Sequence, residues 1–470
     1  MRRAFVLLCC LSCICAAHAD ELPASVEQQL KLVGIPHSAV GLYVHAVDAD
    51  KPRLAVNANV PMNPASLIKL ATTFAALERL GPAHTWETEA WAADPVKNGV
   101  LEGDLYLKGG GDPKLTYEQL WRLLRQVRQR GIAEIRGDLV LDRSIFDLGE
   151  TDPASFDGQP TRPYNVAPDA LLVNFNAVTL TLAADPAANE VRLLAEPQPA
   201  NLDILNRLRL VTGNGCGDWR EALRADVFNH GGNARLVLSG NYPAACGEQR
   251  WNLVPMEARS FAFGMFRALW GELGGRFDGA MREGRVPETA RRVGMLKSPP
   301  LAEVVRDINK FSNNVMARQL LLALGTAAGA QPARVADGQA AMGEWLAGHG
   351  LSAREVVIDN GSGLSRQTRI GAAQLGQLLR AAWRSPVMPE LMSSLPVSAV
   401  DGTMRKRLHG NGVAGQAHIK TGTLEGVKAI AGYVLDQRGR RWIVVCVVNH
   451  PKASAAQPMQ DALLQWVYAQ

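Results

Sequence analysis

The chain opens on a basic start, Met1-Arg2-Arg3, followed by an apolar run over 4–16 and the small-residue site Ala17-His18-Ala19. This order predicts a secretory signal peptide over 1–19, because the apolar run is too short to span a bilayer. Cys13 raises a lipoprotein alternative, but Cys10-Leu11-Ser12 is a poor lead-in to a lipidated cysteine. No later segment reaches the roughly 18 uninterrupted apolar residues of a membrane-spanning helix, so no transmembrane anchor is expected.

Past this leader, two partly alternating apolar stretches, 40–47 and 54–57, flank Asp48-Ala49-Asp50-Lys51 and predict a β-hairpin. A helix follows over 64–80. Asn63 can cap it, Pro64 suits its first turn, Leu67, Leu70, Phe74, Leu77 and Leu80 recur near its period, and Gly81-Pro82 stops it. From about residue 86 the pattern turns to short strands, with 103–107 and 137–141 both reading G-D-L-x-L around a helical stretch over 117–130. The echo is either coincidence or a β-α-β unit. Residues 170–255 form a further run of strands and turns. Helical periodicity returns over 301–324 and 335–348, and the chain closes with strand-like runs at 418–421, 429–435 and 442–448 and a last helix over 459–468. Strands at both ends with helices between them predict an α/β (α+β) domain built from 20–85 and 288–470. A mostly β insertion over 86–287 separates the two parts, with a nested subdomain over 179–250.

Composition narrows the class. With 47% hydrophobic and 20% charged residues among 470, disorder, collagen and small disulfide scaffolds are excluded. The formal net charge of +5 falls to +3 once Arg2 and Arg3 leave with the signal, too weak for a nucleic-acid partner. The basic triplet Arg405-Lys406-Arg407 stands alone and reads as a solvated loop. Cys9, Cys10, Cys13 and Cys15 also leave with the signal. Of the three remaining, Cys216 and Cys246 lie in turn-rich segments of an exported chain and are expected to pair, whereas Cys446 sits in an apolar strand as a buried thiol. Beyond the signal there is no C-x-x-C, H-E-x-x-H or histidine cluster, so neither a metal nor a cofactor is expected.

Three polar groups could carry chemistry. Ser66-Leu67-Ile68-Lys69 puts a hydroxyl and an amine on one face of a helix start, where a lysine can serve as base for a serine. Ser312-Asn313-Asn314 interrupts two apolar helical stretches, so its side chains can point into a cleft. Lys420-Thr421-Gly422-Thr423 ends an apolar strand, where glycine admits a substrate backbone and lysine supplies a cation. A second S-x-N, Ser239-Gly240-Asn241, follows an apolar stretch and reads as a turn.

S-x-x-K, S-x-N and K-T-G in this order are the motif set of β-lactamases and penicillin-binding proteins. With them come Pro64-Ala-Ser-Leu-Ile-Lys69, Gly110-Gly-Asp-Pro113, Gly137-Asp-Leu-Val-Leu-Asp142, Asn360-Gly-Ser-Gly-Leu-Ser-Arg366, Leu395-Pro-Val-Ser398, Asp401-Gly402 and Lys420-Thr-Gly-Thr-Leu-Glu-Gly426. On these residues the chain resembles the D-alanyl-D-alanine carboxypeptidase/endopeptidases of the penicillin-binding-protein 4 type, peptidase family S13, over nearly all of its length beyond the signal. The long gap between Lys69 and Ser312 fits, since the resemblance implies extra domains inserted beside a β-lactamase-like transpeptidase domain. It further implies a periplasmic location and, as partners, peptidoglycan stem peptides and β-lactams.

Carried over residue by residue, the resemblance makes Ser66 the acylated nucleophile, Lys69 its base and Ser312 the proton relay to the leaving amine. Asn314 would orient the peptide or Lys69, Lys420 and Thr421 would hold the terminal carboxylate, and Gly422 would let the substrate strand approach. The N–H groups of Ser66 and Thr423 would form the oxyanion hole. Arg366 would lie near the side chain of the donor's diamino acid; of the insertion's acidic residues Asp157 is nearest to the family position, although Gly158-Gln159-Pro160 departs from the pattern. Asn313 stands where many relatives carry Asp. No glutamate motif for fast deacylation is present, which favours a peptidase over a β-lactamase. Two other classes share these residues: an idle sensor of β-lactams or muropeptides, and an esterase using the same acyl-enzyme chemistry.

Overall fold

The computed structural model describes residues 21–213, 215–351 and 355–470, so the expected signal peptide over 1–19 lies outside the described residues. The ends of the chain meet in one antiparallel sheet. Its N-terminal part is α1 (Ala24–Val33), β1 (Val40–Ala46), β2 (Leu54–Val56) and α2 (Ile68–Leu80). After the insertion come α3 (Leu301–Phe311), α4 (Asn314–Ala327), α5 (Val335–Gly348), α6 (Ala372–Arg384) and α7 (Met388–Ser394), then β3 (Ala417–Leu424), β4 (Val427–Leu435), β5 (Arg441–Asn449) and α8 (Gln457–Tyr468). The strand order is β3-β4-β5-β1-β2, and the expected hairpin is β1 paired with β2.

Both faces of this sheet are covered, which is why its strands read as unbroken apolar runs rather than as alternating ones. Tyr43, Ala431, Tyr433, Val445 and Val447 share a core with Leu70, Phe74, Ile308 and Leu320 of the helical layer. Their neighbours Val44, Ile430, Val444, Cys446 and Val448 pack instead with Leu30 of α1 and Leu463 of α8. Cys446 is the expected buried thiol, and burial pushes its pKa up to about 12. Among the described residues no helix is long and apolar enough to cross a membrane, and no cluster of metal-ligating side chains occurs.

Between α2 and α3 the chain builds separate sheets. Glu87–Ala92 pairs with Leu105–Gly109, which lies parallel to Leu139–Asp142 with helix Tyr117–Gln129 between them. The two G-D-L-x-L copies are therefore a β-α-β unit, with Leu105 opposite Leu139 and Leu107 opposite Leu141. Arg291–Lys297 pairs with Glu87–Ala92, so the inserted sheet runs past residue 287, where the insertion was expected to end. Residues 178–253 supply two three-stranded sheets, and Cys216 and Cys246 are joined by a disulfide. Ser239-Gly240-Asn241 is not a turn: it lies within the strand Asn233–Pro243, where Gly240 pairs with Leu223.

The insertion is less purely β than its pattern predicts. Helix Ala258–Glu272 buries Phe261, Met265, Phe266, Leu269 and Trp270 in the core shared by all the inserted sheets. Its aromatic run, broken by Gly264 and Gly271, does not read as an amphipathic stripe.

Candidate active site

Pro64 and Ala65 lead into a short 3₁₀ turn, Ala65–Leu67, that continues into α2 and carries Ser66, half-buried, at its centre. The turn is held from both sides. Asn63 Oδ1 accepts from Ala65 N–H at 2.9 Å, and the Asn449 amide both accepts from Asn63 N–H and donates to its carbonyl, at 2.8 and 2.9 Å. Ala65 adopts φ 47°, a conformation that costs energy without glycine and persists only where the surroundings enforce it.

Lys69 lies one helical turn on and is fully buried. Its Nζ is 3.0 Å from Ser66 Oγ, 2.7 Å from Asn314 Oδ1 and in hydrogen-bonding contact with the Ser362 carbonyl. Burial, with Lys420 and Arg318 adding repulsion, holds its pKa well below the ordinary lysine value. The three partners then sort themselves by chemistry. Amide and peptide carbonyls only accept, so a neutral amine gives its two N–H groups to Asn314 and Ser362 and is left with a lone pair facing the Ser66 hydroxyl.

Ser312 ends α3 in a left-handed conformation, φ 57°, that turns its side chain off the helix, and Asn313 caps α4 by accepting from Met316 N–H at 3.0 Å. The middle residue of S-x-N therefore starts the helix that carries Asn314. Lys420 Nζ donates to Ser312 Oγ and to the Thr421 carbonyl, both at 2.8 Å. It too is fully buried, and burial lowers its pKa to about 7. Gly422 is required by contact: a Cβ there would stand 2.7 Å from the Pro64 carbonyl oxygen and 3.3 Å from Ser66 N. Any side chain would push β3 away from the serine turn. Thr423, the next residue, is exposed.

The insertion reaches this centre through its loop over 157–166. Tyr164 O accepts from Asn314 Nδ2 at 3.4 Å, and Arg318, one turn further along α4, donates to Val166 O at 2.9 Å. Asp157 is exposed and accepts from Tyr164 OH at 2.8 Å and Asn165 Nδ2 at 2.7 Å. Its slight burial raises its pKa, but these hydrogen bonds outweigh that and leave it below the usual carboxylate value. Arg366 is also exposed, with its guanidinium 5.2 Å from the ring of Phe156, the neighbour of Asp157. The structure thus joins Ser66, Lys69 and Asn314 by hydrogen bonds, joins Ser312 to Lys420 by another, brings the two groups together where Gly422 meets the serine turn, and sets Arg366 against Phe156 of the insertion.

Some contributors carry little signal in the sequence. Asn63 reads as a helix cap, but its clasp with Asn449 comes from folding alone, and Asn360-Gly-Ser362 and Asp401-Gly402 read as motifs without roles. The basic triplet is not wholly solvated either: Arg407 is buried and its Nε donates to Asp461 Oδ1 of α8 at 3.0 Å.

Comparisons with known proteins give the family and the fold. The family model described as "D-Ala-D-Ala carboxypeptidase 3 (S13) family" matches residues 22–470. A D-alanyl-D-alanine carboxypeptidase of Actinomadura sp. (strain R39) is 30% identical over 468 residues, covering 95% of this chain and 84% of that one. The crystal structure of penicillin binding protein 4 (dacB) from Haemophilus influenzae superposes with a TM-score of 0.78 at 24% identity, over 95% of this chain and 99% of that one. The same protein complexed with a β-lactam superposes at 0.75, with 24% identity, over 95% and 100%.

Proposed function

The chain belongs to the D-Ala-D-Ala carboxypeptidase 3 (S13) family and is a serine-type hydrolase of that class; from this premise we propose how its residues carry the reaction. Ser66 Oγ attacks the carbonyl of the penultimate D-alanine while the Lys69 lone pair takes its proton. The N–H groups of Ser66 and Thr423 receive the developing oxyanion, a role supported by the close approach of the neighbouring Gly422 to the serine turn. Ser312 protonates the leaving amine and is resupplied by the Lys420 ammonium 2.8 Å away. Before that step Lys420 and Thr421 hold the terminal carboxylate of the substrate.

Hydrolysis of the acyl-enzyme runs the same groups backwards. Water gives a proton through Ser312 to the now neutral Lys420, and Lys69 returns its proton to Ser66 as the ester breaks. Protons balance over the cycle. A Lys420 pKa of about 7 suits both halves, since a bound carboxylate favours its charged form and release of D-alanine removes that support. Arg366 and Asp157 offer opposite charges at the cleft's edge, matching an amino-acid-bearing side chain on the donor. Substrates in this reading are peptidoglycan stem peptides, reached after export by the segment over 1–19.

The single observation that carries the reading is the Lys69 amine, buried between two obligate acceptors and the Ser66 hydroxyl. The H. influenzae protein complexed with a β-lactam has the same fold, and here a strained lactam should acylate Ser66 in the same way as a peptide. Peptide mapping after benzylpenicillin treatment should find the adduct mass on Ser66, and label on Ser312 would remove the assigned nucleophile. Mass spectrometry of muropeptides then divides the activities: released D-alanine marks carboxypeptidase action and cleaved dimers mark endopeptidase action.

A further inference from the structure

Next to the Lys420 strand stands a turn that the mechanism above does not use. Asp401 is locked there by two bonds: its Oδ2 accepts from Lys310 Nζ at 2.6 Å and its Oδ1 from Val397 N–H at 2.8 Å. Lys310 is buried, also donates to the Leu395 carbonyl at 2.6 Å, and lies two residues before Ser312 on α3. Gly402 follows at φ 54°, so close to α3 that a Cβ would meet the Lys310 carbonyl oxygen at 2.6 Å. The preceding segment is stitched to β3, with Ile419 N–H donating to Pro396 O at 2.7 Å and Ser398 N–H to Ala417 O at 2.9 Å. The turn is therefore fixed to both the Ser312 helix and the Lys420 strand. What it presents is the exposed hydroxyl of Thr403, 2.7 Å from Thr421 Oγ1.

Resting on the proposed function, we infer that Thr403 is a positioning residue that sets the enzyme's preference for a free terminal carboxylate. Two hydroxyls at hydrogen-bond distance share one proton and leave the other for a third group. When a carboxylate sits at Lys420, Thr403 donates to Thr421 Oγ1, and the Thr421 O–H turns to the anion. That donation fixes one rotor and polarises the other, so the bond to the anion gains strength and direction. The Lys310–Asp401 pair holds Thr403 at this distance while tying the same turn to the helix end that bears Ser312.

The test uses the full mature enzyme and a pair of acyl-D-alanyl thiolesters, one with a thioglycolate leaving group and one with its methyl ester, which lacks the carboxylate. Wild type should prefer the acid. In Thr403→Val that preference should fall about tenfold, the scale of one hydrogen bond to a charged group. The loss should appear in KM for the acid, with turnover of the methyl ester unchanged and Thr403→Ser restoring the wild-type ratio. An unchanged ratio in Thr403→Val overturns the inference, and so does an equal loss on both substrates, which would mark Thr403 as merely structural. Circular dichroism of each variant separates misfolding from either result. A wild-type enzyme that turns over both thiolesters with no preference for the acid would instead sink the carboxylate role of Lys420 and Thr421, and this inference with it.

Discussion

The surroundings of Lys69 and Lys420 invite comparison because burial is common to both: each amine is fully enclosed, and each loses basicity for that reason first. They differ in what is left over. Lys69 is saturated by three elements, the Ser66 turn, Asn314 of α4 and the Ser362 loop, and lies close to the charges of Lys420 and Arg318. Lys420 meets a hydroxyl and the carbonyl of its own neighbour, Thr421, whose own hydroxyl lies against the exposed Thr403. A saturated amine has room only for proton chemistry, whereas one with an unused donor can also take an anion. Two lysines of one sequence are thus assigned to different work by the number and type of acceptors the fold gives them.

Exchanging each lysine for arginine tests this division most severely. Arginine does not deprotonate in a protein but binds carboxylates well. Lys69→Arg should lose nearly all acylation by a fluorescent penicillin, a fall of about a thousandfold or more on the scale of removing a proton-accepting group. Lys420→Arg keeps the cation but loses the removable proton for Ser312, so it should acylate more slowly than wild type yet keep a measurable fraction, with weaker substrate binding. Stopped-flow or gel labelling reads both rates once circular dichroism has shown folding. Wild-type acylation in Lys69→Arg would erase the contrast and leave Ser312 and Lys420 as the proton route.

Acidity sharpens the comparison from the other side. The Lys420 pKa is lowered to about 7, so the free enzyme gains this positive charge as pH falls through 7 and loses it as pH rises. The value of kcat/KM reports the free enzyme, so for a carboxylate-bearing thiolester it should decline above about pH 7, approaching tenfold per unit in the limit. The uncharged methyl ester should lack that limb, because it offers Lys420 no anion and its thiolate leaves without the proton that an amine needs from Ser312. Parallel alkaline declines for both substrates would mean that the titrating group governs chemistry rather than anion binding.

What the sequence made legible follows from how local each cue is. Ser66 and Lys69 lie one turn apart on a helix whose start and stop are written in Asn63, Pro64 and Gly81, and Lys420 to Thr423 ends a strand that its apolar run announces. The supports of these groups are not local. Lys310 and Asp401 stand 91 residues apart, Asn63 and Asn449 386, and Lys69 and the Ser362 carbonyl 293, so only the packed sheet and helices bring them together. The strand Arg291–Lys297 is illegible for the same reason, since its partner Glu87–Ala92 lies at the far end of the insertion. Thr403 carries no cue at all: an exposed threonine after Asp-Gly reads as a turn, and its neighbour at 2.7 Å comes from another element.

If the two lysines owe their contrast to the catalytic domain, the far sheets of the insertion should be dispensable to it in the short term. Cys216 and Cys246 close a loop of about 31 residues, and in the chain-entropy model an unstrained bridge over such a loop stabilises by about 3 to 4 kcal/mol. The bridge lies among the sheets of residues 178–253, while the insertion's contacts to Asn314 and Arg318 come from Tyr164, Asn165 and Val166. Reduction should therefore loosen the region around the bridge first, seen as faster hydrogen exchange there, while the rate of acylation at Ser66 changes by less than about twofold. A large loss of acylation on reduction would show that the bridged sheets hold the loop over 157–166 in place. The positioning of Asn314, and through it of Lys69, would then extend across the insertion instead of ending at the loop that touches α4.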